Sequence, residues 1–200
     1  MPGPELVDVL GLREAYSSSP IETMERALRQ AWATPSAFVR GLERVAGVRV
    51  ALDLCAEATT AKAPVWFGPG SPHGVTDTLL DDWSWGAGLA YCNPDFARKG
   101  QWANLVLGSQ VPTWFLVPPS TDQEWFSTLT NSPRAHLHIL RGRLRFDPPP
   151  GIAPSAPNGP VVLWSVNFDR PLLPGSLIVK DLLELGREPW SEEGDRGAMG

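Results

Sequence analysis

Val50-Ala51-Leu52-Asp53-Leu54-Cys55-Ala56-Glu57 is the stretch on which the fold turns. From Val48 to Leu54 the run is near-continuously apolar rather than alternating, the pattern of a short strand covered on both faces. Strands of that kind belong to parallel sheets wrapped by helices. Working backwards, Gly47 closes a helix that Thr34-Pro35 starts, with Phe38, Leu42 and Val45 at three- to four-residue spacing along one face. An earlier helix start lies at Ser19-Pro20, where Glu22 and Glu25 place acids in the first turn, and predicts a helix to about Ala31.

Working forwards, Phe67 to Val75 is rich in Gly and Pro, contains His73, and reads as a loop that covers or connects a pocket. Trp102 to Leu107 fits a helix and Thr113 to Val117 a second buried strand, which Pro118-Pro119-Ser120-Thr121 ends. Asp122 to Leu129 reads as a short helix whose Trp125 and Phe126 are expected in the core. Leu137–Ile139, Leu144–Phe146 and Val161–Val166 are strand runs. The last two flank Asp147 to Pro160, whose six prolines and two glycines preclude regular structure. One more helix is expected around Leu177 to Leu185. The whole reads as a loose arm over 1–19, one α/β domain over 20–188 and an acidic, disordered tail over 189–200.

Two hundred residues with 42% hydrophobic content make one globular domain of ordinary size, able to bury about 70% of its unfolded surface. No apolar run approaches the roughly eighteen residues of a membrane span, and no leader-like segment opens the chain, so a cytoplasmic protein is expected. Cys55 and Cys92 lie in apolar, strand-like runs without metal-ligand spacing, and no metal is expected. A formal charge of −5 gives no overall attraction to a polyanion. The distribution is uneven, however. Arg134, Arg141, Arg143 and Arg145 fall with His136 and His138 in an acid-free run, and Arg98 and Lys99 make a second basic pair. Such stripes suit weak, salt-sensitive binding to DNA, although alternation at 141, 143 and 145 equally fits a solvated strand face. His136 and His138 alternate on a strand and read as surface residues.

Gly88-Leu89-Ala90-Tyr91-Cys92 leads into Asn93-Pro94-Asp95-Phe96, the segment with the most chemical content. An exocyclic amine on a nucleobase is a poor nucleophile because its lone pair is delocalised into the ring. The Asn93 carboxamide oxygen and the carbonyl of φ-restricted Pro94 are two acceptors suited to hold the amine hydrogens and stabilise the positive charge that develops as a methyl group arrives. Phe96 is placed to stack on the base. No P-loop, His-Glu-x-x-His or Gly-x-Ser-x-Gly motif competes.

In order, Trp32-Ala33-Thr34-Pro35, the Val50–Glu57 strand, Asp81-Asp82-Trp83, the Asn93 tetrapeptide, Phe115-Leu116-Val117-Pro118 with Glu124-Trp125-Phe126, and Arg141 to Phe146 form a series that resembles the phage-type DNA N6-adenine methyltransferases, encoded in phages and prophages. The similarity runs from about residue 32 to about 166. It implies a Rossmann-like fold, with a mostly parallel sheet, helices on both faces and a C-terminal antiparallel hairpin. It also implies S-adenosylmethionine as methyl donor, DNA as partner and a bacterial host's cytoplasm as the setting. By the same resemblance, Asn93, Pro94, Asp95 and Phe96 are the catalytic segment. Trp32, Thr34, Pro35, Asp53, Cys55, Glu57 and Asp77 or Asp82 belong to the cofactor pocket, and Arg98, Lys99, Arg141, Arg143 and Arg145 to the DNA contact. The usual Gly-rich turn after the first strand is replaced by Ala56-Glu57-Ala58, compatible with a cofactor that has no phosphate. In the family the tetrapeptide carries a second proline where this chain has Asp95. That leaves three readings open: adenine N6 methylation, a member that binds cofactor or DNA without turnover, and methylation of cytosine N4.

Overall fold

The computed structural model describes residues 32–75, 77–79, 88–149, 151 and 159–189. The expected arm, first helix and tail, together with Asp82, Trp83 and most of the proline-rich connection, lie outside them. In chain order the elements are α1 (Ser36–Ala46), β1 (Val50–Asp53), β2 (Val65–Trp66), β3 (Leu89–Cys92), a 3-10 turn (Phe96–Arg98), α2 (Lys99–Gly108), β4 (Thr113–Val117), α3 (Glu124–Asn131), β5 (Ala135–Arg141), β6 (Val162–Val166), β7 (Ser176–Ile178) and α4 (Val179–Leu185).

The strands form one seven-stranded sheet in the order β2-β1-β3-β4-β6-β5-β7. Strands β2, β1, β3 and β4 run parallel to one another. Strand β6 enters antiparallel between β4 and β5, and β7 is parallel to β5. Two reversals cancel, so β5 and β7 point the same way as β1, β3 and β4. The carboxyl ends of six strands therefore meet along one edge, where open α/β sheets bind ligands. This is the mostly parallel, helix-covered Rossmann-like architecture that the sequence implies, with the antiparallel pair β5/β6 in its C-terminal half.

All side chains of β3, β4 and β6 are buried, as expected for central strands covered on both faces. On one face Tyr91, Trp114, Leu116 and Leu163 pack with Phe38, Val39 and Leu42 of α1 and Leu182 of α4. On the other, Ala90, Cys92, Phe115, Val117 and Trp164 pack with Trp102 and Val106 of α2 and Trp125 and Leu129 of α3. Trp125 and Phe126 thus serve the core, edge-to-face against Phe115 and Trp164. Helices α1 and α4 meet at backbone distance. A Cβ on Gly41 would lie 2.1 Å from the Leu182 carbonyl oxygen, and one on Gly186 would lie 1.8 Å from that of Ala37.

Four details differ from the expectations. Leu144–Phe146 buries Leu144 and Phe146 but joins no strand; its neighbour Asp147 makes a single antiparallel bridge to Ala33. The expected helix from 177 begins only at Val179, because Ser176–Ile178 pairs with Ile139–Arg141 as β7. Val45, expected on the apolar face of α1, is 41% exposed. His138 is not a surface residue: it is 1% exposed. Because the Pro174 carbonyl can only accept, Nδ1–H of His138 donates to it at 2.8 Å, and Nε2 accepts from the Ser165 hydroxyl at 2.8 Å. Burial holds its pKa below the usual histidine value.

Candidate active site

Strands β1 and β3 are neighbours with Asp53 level with Tyr91, so their carboxyl ends bring Asp53, Cys55 and the Asn93 turn together. Asp53 is 2% exposed. Its Oδ1 accepts from the Cys55 N–H at 3.2 Å and its Oδ2 from the Lys62 N–H at 2.9 Å. The carboxylate therefore ties both ends of the loop that leaves β1. Desolvation outweighs those two bonds and raises its pKa to about 6. Glu57 is exposed and opens a turn within that loop, its N–H donating to the Thr60 hydroxyl at 3.0 Å. Cys55 is half-buried and Cys92 buried; neither is in a disulfide, and burial raises the pKa of both thiols.

Asn93 leaves β3 half-buried, and its Oδ1 is buried with no hydrogen-bond partner. An unpaired buried acceptor costs about 1–3 kcal/mol; six other side-chain atoms among the described residues share that state, and of the seven Asn93 Oδ1 alone belongs to the turn at the carboxyl end of β3. Pro94 is buried and Phe96 half-buried, the latter edge-to-face with Phe146 at 6.4 Å between centroids. Asp95 has φ −55° and ψ 116°, a backbone that a proline also adopts. The family's second proline is thus replaced without a change of backbone region. The carboxylate caps the 3-10 turn, Oδ1 accepting from the Ala97 N–H at 2.8 Å, and Oδ2 lies 3.6 Å from Arg98 Nε. The same guanidinium lies 3.6 Å from Asp77 Oδ2. Arg98 thereby links the Asn93 turn to the segment 77–79, which Thr78 anchors by donating to the Leu54 carbonyl at 2.6 Å. Asp77 in turn accepts from the Leu79 N–H at 3.0 Å.

Thr34, a helix cap by sequence pattern, has another task. The residue is 2% exposed and its hydroxyl lies 2.7 Å from the Tyr91 hydroxyl, while α1 starts after Pro35 with no side-chain cap. Trp32 packs at the edge of the same core, and the Ala33–Asp147 bridge draws the Arg141–Asp147 segment alongside. Tyr91, Thr78 and Lys62 stand at the candidate site without a motif to mark them; period-two alternation from Cys92 is the one available signal, and it sets Tyr91 on the opposite face of β3.

The two basic stripes have different fates. Arg98 is engaged as described, and Lys99 Nζ points back to the Phe96 carbonyl at 3.4 Å. Arg141, Arg143 and Arg145 are exposed and line one side of an open groove of about 1150 Å³ that α1 and α4 complete. No group of three or more His, Cys, Asp or Glu side chains among the described residues is placed to hold a metal. No helix among them is long and apolar enough to cross a membrane.

Comparison with known proteins gives no curated protein and no solved structure that matches. A family model, that of the DNA N-6-adenine-methyltransferases (Dam), matches residues 22–164, a span that takes in β1, the Asn93 turn and helices α1, α2 and α3. An unpartnered amide oxygen on an Asn-Pro turn, at the carboxyl edge of a Rossmann-like sheet, lies within that match, and the chain belongs to the DNA N-6-adenine-methyltransferase (Dam) family.

Proposed function

We propose that the chain transfers a methyl group from S-adenosylmethionine to the N6 amine of adenine in DNA, with Asn93 and Pro94 holding that amine. The carrying observation is the buried, unpartnered Oδ1 of Asn93. It accepts one amine hydrogen and the Pro94 carbonyl accepts the other. Both oxygens are fixed before substrate arrives, so they stabilise the positive charge on nitrogen without reorganising. Phe96, braced by Phe146, lies against the base, which must leave the duplex at a cost of a few kcal/mol.

The cofactor, when bound, supplies an electrophilic methyl group on a sulfonium. The fit of this chain to it rests on the clustering of acids and of the Thr34–Tyr91 pair around the ends of β1 and β3. Trp32, Thr34 and Pro35 form one wall and the loop of Cys55 and Glu57, held by Asp53, the other. Asp77 lines the far side. Asp53 acts there through the loop it ties, since both its oxygens are already bonded to backbone.

Asp95 supports turnover rather than loss of it. Its charge is turned to Arg98 and to the 3-10 turn, so the substitution leaves the Asn93 acceptor intact. The test is nucleoside mass spectrometry of DNA from a methylation-deficient host. Expression is expected to yield N6-methyladenine that disappears with Asn93→Ala. N4-methylcytosine instead would reassign the amine. Unmethylated DNA despite calorimetric binding of S-adenosylmethionine would leave a binding protein only.

A further inference from the structure

The chain is acidic overall, with formal charge −5, yet one groove collects charge of the opposite sign. Arg40 of α1, Arg141, Arg143 and Arg145 after β5, and Lys180 and Arg187 around α4 line it, against the two carboxylates of Asp147 and Glu184. That is a net of four positive charges on one concave surface. Only the side-chain contacts of Arg40 and Lys180 stay within the chain: Arg40 Nε donates to the Gly186 carbonyl at 2.8 Å, and Lys180 lies 3.7 Å from Glu184 in an exposed pair. Arg141, Arg143, Arg145 and Arg187 form no ion pair with the described residues.

The groove lies on the same edge of the sheet as the Asn93 turn. Strand β5 runs with β3, so Arg141 at its end and Lys180 just beyond β7 share the edge with Asn93. The connection is also physical. Asp147 pairs with Ala33 beside Thr34, Phe146 touches Phe96, and the charges of Arg40 and Asp147 act on Lys62 in the loop of Asp53. A volume near 1150 Å³ exceeds what a single phosphate fills, and an open trough of arginines suits a run of phosphodiesters.

We infer that this groove, and not the Arg98–Lys99 stripe, carries the sugar-phosphate backbone of the DNA that delivers adenine to Asn93, with Arg40, Lys180 and Arg187 as contacts beside Arg141, Arg143 and Arg145. The inference rests on the methyltransferase reading for the identity of the polyanion, and on the groove alone for its place. Arginines bind phosphate by bidentate donation, and each charge engaged releases counterions from the duplex.

Fluorescence anisotropy with a labelled duplex, titrated with salt, tests it in the full chain. Losing both charges in the Lys180→Gln/Arg187→Gln double variant is expected to flatten the slope of log K against log salt by about two, while calorimetric affinity for S-adenosylmethionine stays that of the wild type. Glu184→Gln, which removes a carboxylate from the groove, is expected to tighten duplex binding severalfold. Wild-type slope and affinity in both variants would overturn the inference. So would a wild type that methylates DNA without salt-dependent binding, which would leave the methyltransferase reading standing. Salt-sensitive binding through the groove without methylation would do the reverse. Tighter binding to single-stranded RNA of equal length than to the duplex would overturn DNA as the occupant.

Discussion

Asp53 and Asn93 leave adjacent strands at the same edge of one sheet and end in opposite states. The carboxylate is wholly occupied, each oxygen bonded to a backbone N–H of the following loop. The carboxamide oxygen two residues beyond Tyr91, Asp53's neighbour in the ladder, is just as hidden and bonded to nothing. The contrast separates two tasks that a motif search merges. Asp53 spends its bonds in folding, holding the loop after β1, whereas Asn93 keeps an unpaired acceptor, which under the proposed function a substrate satisfies.

The largest effect is expected where the contrast is sharpest. Asn93→Ala should lower kcat by about 10²–10³-fold, as for other preorganised groups that stabilise developing charge, while chemical denaturation finds stability no lower than the wild type's, since no intramolecular bond is lost and an unpaired buried acceptor is removed. A large fall in stability would put Asn93 in the same structural class as Asp53. Asp53→Ala is expected to show the reverse balance. Freeing two part-buried amides from a charged acceptor costs about 2–4 kcal/mol, read in the denaturation midpoint.

The pH dependence of Asp53 has a definite sign. Its pKa is raised in the folded state to about 6, so the native protein holds this proton more tightly than the unfolded chain. The stability it confers is complete below about pH 4 and is lost as pH rises through 6, by about 3 kcal/mol. The wild type minus Asp53→Asn difference in unfolding free energy should decline over that interval; a flat difference would mean the carboxylate is better solvated than its burial indicates. Smaller still, Thr34→Val should cost about 1 kcal/mol by leaving the buried Tyr91 hydroxyl unpaired, with a circular-dichroism melt as the measure. Smallest is Asp95→Pro. The backbone accepts proline, and loss of the cap at about 0.5–2 kcal/mol is partly offset by a stiffer unfolded chain. Methylation within tenfold of wild type is expected, and collapse of activity would show that the Asp95–Arg98 contact aims Asn93.

Much of this was legible in the chain itself. Thr113–Val117 has the expected bounds because an apolar run closed by Pro118-Pro119 leaves no other register. Asn93 stands at a site because Asn-Pro after an apolar strand must turn at the sheet's carboxyl edge. What escaped depends on partners far away in sequence. The two residues of β2 carry too little pattern to show. Ser176–Ile178 became a strand through β5, although its residues continue a helical run. Arg143 to Phe146 alternates exposed and buried side chains without a neighbouring strand, so period two alone misleads there. His138 is drawn inside by Ser165 and Pro174, and Thr34 is diverted from capping by Tyr91, 57 residues on. Neither has a local signature. The ion pairs of Arg98 with acids at 77 and 95 likewise have no local signature.

The glycine contact between α1 and α4 bears on how the protein can be handled. The family resemblance stops at residue 164, yet Leu182 and Gly186 close directly over Ala37 and Gly41. Cutting the gene back to the recognisable segment would strip the cover from Phe38 and Leu42 and remove one wall of the arginine trough. Helix α4 is a clasp, and any shortened version for crystallisation or screening has to retain it.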